Sequence, residues 1–424
     1  MLVYLSPVRI RYSRAVSRSG RHALNRQLIL TLEQCHSSMM FPSCRCGISA
    51  IPGDLLGYLV LDARSTQAQF DDELKEATMI DLRSDTVTKP TPAMRQAMAE
   101  AEVGDDVFAG DPTINRLQER VASLLGKEDA LYMPSGSMAN QASLRAHTQS
   151  GDEIIAHQDS HIYHYEGGAP AALSGCSLKL LAGARGQFAA DDVRAGIRPK
   201  DSHFPQSRLI VIENTHNRGG GSVWSIDAIA KIRAVADEHG LHMHLDGARL
   251  MNACAAKGCQ PTEYTQYFDT VSICFSKGLG APVGSAVAST RETIGKVHRY
   301  RKMFGGGMRQ GGIIAAGALY ALDHHVDRLV DDHANAKRLG GAVVKLAGVS
   351  IDIETIETNI VYFDVDAETG TAKQVCDKLY EAGVWMLPIG PQRVRAVTHL
   401  DVSAADIEKA IELLGSVLGA AAVA

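Results

Sequence analysis

From residue 129 onward, short apolar runs alternate with amphipathic stretches, and few folds accommodate that rhythm. Asp129–Met133 (DALYM), Glu153–His157, Arg208–Ile212 (RLIVI), Leu241–Leu245 (LHMHL) and Thr270–Phe275 (TVSICF) each have the length and composition of a strand. Between the third and fourth, Asp227 caps a helix that runs through Glu238. It carries Ile229, Ile232, Val235 and Ala236 at helical spacing, and Gly240 stops it. A run as continuously apolar as RLIVI must be covered on both faces. Strands joined by helices in this way build a mostly parallel sheet between two helical layers. A long helical stretch from Gly312 to about Leu346 then passes into a smaller α+β segment, with strands at Ile360–Val365 and Val394–Val397. The expected organisation is a large three-layer α/β domain over 79–330 and a small C-terminal domain over 331–424, with the boundary near 325–335.

Charge and composition narrow the function. A formal net charge of -5 lacks the basic excess of a nucleic-acid binder. No apolar run approaches the ~20 residues that a membrane-spanning helix requires. The eight cysteines include no CxxC pair, so they read as free thiols of a reducing, cytoplasmic compartment rather than as zinc or redox motifs. Residues 1–78 stand apart: six arginines (Arg9, Arg11, Arg14, Arg18, Arg21, Arg26) precede the first acidic residue, Glu33. Such a leader is a transit peptide, a disordered tail or a start-site extension. Met79 opens the patterned body.

In open α/β sheets, ligands sit outside the carboxyl ends of the strands. RLIVI runs into Glu213-Asn214-Thr215-His216, LHMHL into Asp246-Gly247-Ala248-Arg249, TVSICF into Ser276-Lys277-Gly278, and DALYM into the small-residue turn Ser135-Gly136-Ser137. A desolvated lysine amine forms a Schiff base. A carboxylate keeps a pyridine nitrogen protonated, and a Ser-Gly-Ser turn opening a helix seats a phosphate. His161, just past the second strand, is an imidazole able to stack on a ring or to act as a base. His242 and His244 alternate along their strand and are assigned to its two faces; with no third ligand at hand, no metal site is expected. The glycine-rich basic stretch Arg301–Gln310 reads as an anion-binding loop or a flexible one.

Several of these segments together resemble the L-threonine aldolases. They are Met79–Thr88 (MIDLRSDTVT), Val103–Val107 (VGDDV), Glu213–Asn217 (ENTHN), His244–Arg249 (HLDGAR), Ser276–Gly280 (SKGLG), Arg309-Gln310 and Thr398–Val402 (THLDV). The resemblance implies the aspartate-aminotransferase-like fold of pyridoxal-phosphate enzymes (fold type I) and a homotetramer with active sites shared between subunits. It implies pyridoxal 5'-phosphate as cofactor, a 3-hydroxy amino acid as substrate and retro-aldol cleavage of threonine or allo-threonine to glycine and acetaldehyde. Lys277 would carry the cofactor, Asp246 its ring nitrogen and His161 its ring face. Gly136 and Ser137, with Lys302 and Arg309 of a neighbouring chain, would hold its phosphate. Ser84, Arg249 and Arg395 would hold the substrate carboxylate; of Arg393 and Arg395, the spacing to Thr398-His399 favours Arg395. His216 would lie near the β-hydroxyl. The proton acceptor there is His161 or His216, directly or through a water.

Phe108 departs from the pattern, standing where many relatives carry tyrosine, and so removes a hydroxyl near the expected site. A β-eliminating lyase or a serine-hydroxymethyltransferase-like enzyme would share Lys277 and Asp246 and differ around the β-carbon. A protein that merely binds the cofactor would need no proton-transfer group there.

Overall fold

A seven-stranded sheet organises the protein. The computed structural model describes residues 79–419, and the reading of residues 1–78 lies outside the described residues. In chain order the strands are β1 (Ile80–Asp81), β2 (Asp129–Met133), β3 (Asp152–His157), β4 (Ser177–Leu181), β5 (Gln206–Glu213), β6 (His242–Gly247), β7 (Thr270–Cys274) and β8 (Ser285–Ser289). They continue as β9 (Val349–Ser350), β10 (Ile360–Val365), β11 (Val384–Trp385), β12 (Leu387–Pro388) and β13 (Arg393–Val397). The large sheet has the order β2-β8-β7-β6-β5-β3-β4, with β8 antiparallel to both neighbours and the remaining pairs parallel. The apolar run RLIVI lies in β5, between β3 and β6, which is why it has no polar face. The fold is the expected α/β type.

Two strands escape the sequence reading. β8 (SAVAS) is built of small residues, and β4 (SLKLL) is an edge strand without a clean alternation. The cap of the helix Ile226–His239 also differs: Ser225, not Asp227, accepts the Ala228 N–H, and Asp227 adds its charge to the first turn. Gly240 ends that helix with φ 67°, a left-handed conformation glycine adopts without strain. The long stretch expected from Gly312 onward is two helices, Gly312–His324 and Leu329–Val343. At the break, the His325 ring bonds the Leu279 carbonyl at 2.7 Å, so the corner is tied to the turn that carries Lys277.

Beneath the sheet lies a core that includes Ile210, Ile212, Ile229, Ile232, Leu245 and Val271. A second core gathers Leu339, Val361, Phe363, Leu379, Val394 and Ile407 around the antiparallel sheet β12-β13-β10-β9. Ile80 and Leu82 belong to this second core, because β1 pairs in parallel with β11. Residues near the start of the body therefore pack with residues near its end. No helix of the described residues is long and apolar enough to cross a membrane.

Candidate active site

The carboxyl ends of β3, β5, β6 and β7 deliver polar groups to one edge of the sheet. Asp246, on β6, is almost fully buried, and its two oxygens accept the Asn140 amide at 2.8 Å and the Ala248 N–H at 3.2 Å. Burial opposes ionisation of Asp246, yet the charges of His161 and Lys277, with His244 and Asn140, hold its carboxyl below the usual range. The His161 ring bonds Glu166 at 2.9 Å through Nδ1, and its backbone N–H donates to Glu213 at 2.8 Å. Burial pushes the His161 imidazole down, but the Glu166 hydrogen bond and the charges of Asp246 and Glu213 leave it raised above its ordinary value. Replacing Glu166 by glutamine is expected to bring the His161 titration down, readable as a fall in its NMR midpoint; an unmoved midpoint would contradict this.

Lys277 follows β7 and is half-buried. Its ammonium acts electrostatically on Asp246, His161 and Asp85. Asp85 is fully buried and grips Arg249 through two hydrogen bonds of 2.7 Å, to Nε and Nη2. Burial opposes the charge on Asp85, and Arg249, then Lys277 and Arg395, keep its carboxyl well below the usual range. Arg249, expected as a substrate clamp, therefore has one edge committed to Asp85. Arg395 is different. Its buried Nε has no hydrogen-bond partner, and burial together with the Arg249 charge pushes its guanidinium below the ordinary value. Arg393, the alternative, turns outward and pairs with Asp364. Arg395 lines a cavity of about 440 Å³ with Tyr165, Asn217, Arg218 and Tyr362. The buried Arg249 and the half-buried Arg395 both act on the Asp85 carboxylate, and Asp85 hydrogen-bonds only the first of the two guanidinium groups. The Ser84 hydroxyl accepts from Thr86 N at 3.2 Å and caps the Asp85–Val87 turn.

The helix Gly136–His147 starts behind β2, capped by Ser135. Among the described residues, no hydrogen-bond partner takes the Gly136 and Ser137 backbone N–H groups, so a positive helix end is free for an anion. A Cβ at Gly136 would lie 2.7 Å from Cys274 Sγ, so only glycine lets the helix approach β7 this closely. Gly136→Ala is therefore expected to weaken phosphate binding, measured by cofactor titration of the apo protein.

The charged ends of Lys302 and Arg309 are not placed on this helix start within the chain. Lys302 is exposed, and Arg309 is exposed and paired with Asp105 at 2.9 Å. What the loop does bring there is Gly306, where a Cβ would fall 2.1 Å from the Met138 sulfur. Arg301, which the sequence did not single out, pins the loop from inside through Tyr132 O and Asp106, each at 2.8 Å.

His216 is fully buried, away from the open part of the site. Its Nδ1 accepts the Gly219 N–H at 3.0 Å, and its ring stands edge-on to His157 with centroids 5.2 Å apart. Nε2 has no hydrogen-bond partner and lies 3.8 Å from Glu213, whose oxygens are taken by the backbone N–H groups of His161 and Asn217. His161 keeps 27% of its side chain exposed, against 1% for His216. Phe108 is 80% exposed, so the missing hydroxyl is not in this chain's own site.

A family model described as beta-eliminating lyase matches residues 81–366. The chain is 43% identical over 326 residues to the low specificity L-threonine aldolase of Escherichia coli K12, covering 77% of this chain and 95% of that one. It is 40% identical over 333 residues to low-specificity L-threonine aldolase 1 of Arabidopsis thaliana, covering 77% and 93%. The chain belongs to the threonine aldolase family. Its fold is shared with the threonine aldolase of Leishmania major (TM-score 0.69, 19% identity, 80% of this chain and 99% of that one).

The family's pyridoxal phosphate can be tested against what these residues offer. A lysine past a strand end, an ionised buried aspartate, a free helix N-terminus and an unsatisfied arginine make a donor set that fits its amine-reactive carbon, ring nitrogen, phosphate and amino-acid partner. Sequence reasoning missed Asp85, Asn140, Glu166 and Glu213 as parts of this set. Asp85 sat one position from the Ser84 that was chosen, and Glu213 was seen at its strand end but given no role; Asn140 and Glu166 are single polar residues without a motif.

Proposed function

We propose that this threonine aldolase family member cleaves L-threonine and L-allo-threonine to glycine and acetaldehyde, and takes other 3-hydroxy amino acids through the same site. The observation that carries the reading is the pair Arg249 and Arg395 acting on the Asp85 carboxylate, which Lys277 also feels, with the Asp85 hydrogen bonds given to Arg249 and the buried Nε of Arg395 unpartnered. That imbalance suits an amino-acid carboxylate better than any neutral ligand.

Lys277 would hold the cofactor covalently through its amine, Asp246 its ring nitrogen, Gly136 and Ser137 its phosphate, and His161 one face of its ring. When bound, pyridoxal phosphate supplies the electron sink for the pair left on Cα when the Cα–Cβ bond breaks. Arg395 anchors the substrate carboxylate and so fixes which Cα bond is presented for cleavage. His161 accepts the β-hydroxyl proton as the Cβ–O bond becomes a carbonyl, and a proton returned to Cα completes glycine. His216 acts on this step from behind Glu213. Because the His161 value is raised, the neutral form needed for a base grows in above the ordinary imidazole range. The rate should climb with pH through that raised value.

Incubation with L-threonine and L-allo-threonine separately, with acetaldehyde measured, tests the reading. Pyruvate or ammonia without aldehyde would indicate the eliminating lyase instead. Arg395→Leu should raise KM for the amino acid roughly 10- to 100-fold, the range of one charge-assisted hydrogen bond, with kcat less affected.

The proposal extends to a cytoplasmic homotetramer with shared sites, built from a large lobe (79–330) and a small one (331–424). In it, exposed Lys302 and Arg309 reach a neighbour's phosphate seat, and Phe108 (80% exposed) and Met303 (64% exposed) are covered. A chain begun at Met79 should keep full activity and the same oligomeric mass.

A further inference from the structure

The proposed mechanism uses Asp246 but not the residues behind it. Asn140 is a buried hub with every hydrogen-bonding group engaged. Its amide donates to Asp246 Oδ2 and Glu166 Oε1, each at 2.8 Å, and its oxygen accepts from the Ser272 hydroxyl at 2.9 Å and the His244 ring at 3.1 Å. Two carboxylates on one side fix which end of the amide faces them, since an amide oxygen turned toward them would be repelled. The amide oxygen only accepts, so His244 must carry its proton on Nε2. Its Nδ1 then accepts the Thr270 hydroxyl proton at 2.8 Å, and the Thr270 oxygen accepts from His147 Nε2 at 3.2 Å. Every donor from His147 inward points toward Asp246. The outer end lies at the amino ends of the strands, away from Lys277. There the His147 ring lies against that of His242, tilted by 33° with centroids 4.5 Å apart, in the wall of a cavity of about 620 Å³.

We propose that His244, backed by Thr270 and His147, is a positioning residue that holds the Asn140 amide against Asp246 and so keeps that carboxylate charged and aimed at the cofactor's ring nitrogen. The inference rests on the cofactor reading given above. The amide in the middle bars proton passage, so the chain transmits orientation and polarity rather than protons. Both rings stay neutral through the working pH range. Burial, partly offset by Asp246, pushes His244 down to about 4, and burial with the neighbouring His242 pushes His147 to about 3. The direction of the chain is therefore fixed.

The test measures the dissociation constant of pyridoxal phosphate from apo protein, the visible absorption band of the reconstituted holoenzyme, and the melting temperature of the apo form. His244→Phe fills the space and removes both ring nitrogens. It should weaken cofactor binding about tenfold or more, the scale at which outer-shell partners act on a bound group, and shift the visible band. Thr270→Val, which changes one hydroxyl to a methyl, should move both readouts in the same direction by less, and Thr270→Ser should restore them. If His244→Phe does not fold, the Thr270→Val and Thr270→Ser pair decides. Wild-type affinity and an unmoved band in Thr270→Val and in any folded His244→Phe would overturn the positioning role, even if the melting temperature falls, because that pattern belongs to a purely structural contact. Failure of the wild-type chain to take up the cofactor at all would overturn the cofactor reading itself, and the two failures are told apart by that control.

Discussion

Lys277→Ala is expected to abolish aldehyde formation from L-threonine, with a loss of about a thousandfold or more. In the proposed mechanism the lysine amine provides covalent attachment, and among the described residues Lys277 is the lysine whose charge acts on Asp246, His161 and Asp85. His161 and the buried Asp246 stand nearby, but neither offers an amine. Borohydride reduction of the wild-type holoenzyme should fix the cofactor to the peptide containing Lys277, and mass spectrometry should find no such adduct in the variant. An adduct on another lysine, or retained turnover, would reassign the centre. Covalent attachment to a carbonyl carbon requires a primary amine, which neither a guanidinium nor a thioether offers. Substituting arginine or methionine should therefore do no better than alanine.

Asp85→Ala should be the most damaging substitution to the fold among the site residues. Arg249 is 5% exposed, and its Nε–Nη2 edge faces only Asp85. Removing one partner of a buried ion pair leaves an uncompensated charge and costs about 3–5 kcal/mol. In a protein of this size, a melting temperature lower by on the order of 10 °C would follow. Asp85→Asn keeps a hydrogen-bond acceptor and should cost less. Thermal unfolding followed by circular dichroism reads the difference. An unchanged transition in the alanine variant would mean that Arg249 finds another anion or water. Addition of a simple carboxylate should partly restore Asp85→Ala, since a bound ligand stabilises the state it binds.

What the chain disclosed before any coordinates was governed by distance along it. The strand Asp129–Met133 and the apolar run inside β5 were legible because local composition alone decides them. Lys277 and Asp246 were legible because a strand end announces the edge where ligands sit. The Asp85–Arg249 pair joins residues 164 positions apart, and nothing around either one signals the other. Asn140 looked like any polar residue in a helix until β6 and β7 brought His244 and Ser272 to it. His216 stood next to a strand end and still went into the interior, because the chain turns back there and Gly219 closes on its ring. The basic stretch Arg301–Gln310 was read as an anion-binding loop or a flexible one, and its charge is real. Its fit within one subunit is nevertheless set by Gly306 against Met138 and by the buried Arg301.

The pairing of β1 with β11 has a consequence for biosynthesis. The large sheet draws all its strands from residues 129–289, so it can assemble while the ribosome is still adding the rest. The anion clamp cannot. It takes Asp85 from ahead of the first strand of that sheet and Arg395 from β13, the last strand among the described residues, and the parallel partner of β1 emerges only at Val384–Trp385. A nascent chain would therefore possess the proposed phosphate seat well before the proposed amino-acid clamp, and a release a few dozen residues early would leave a polypeptide with a sheet but without Arg395.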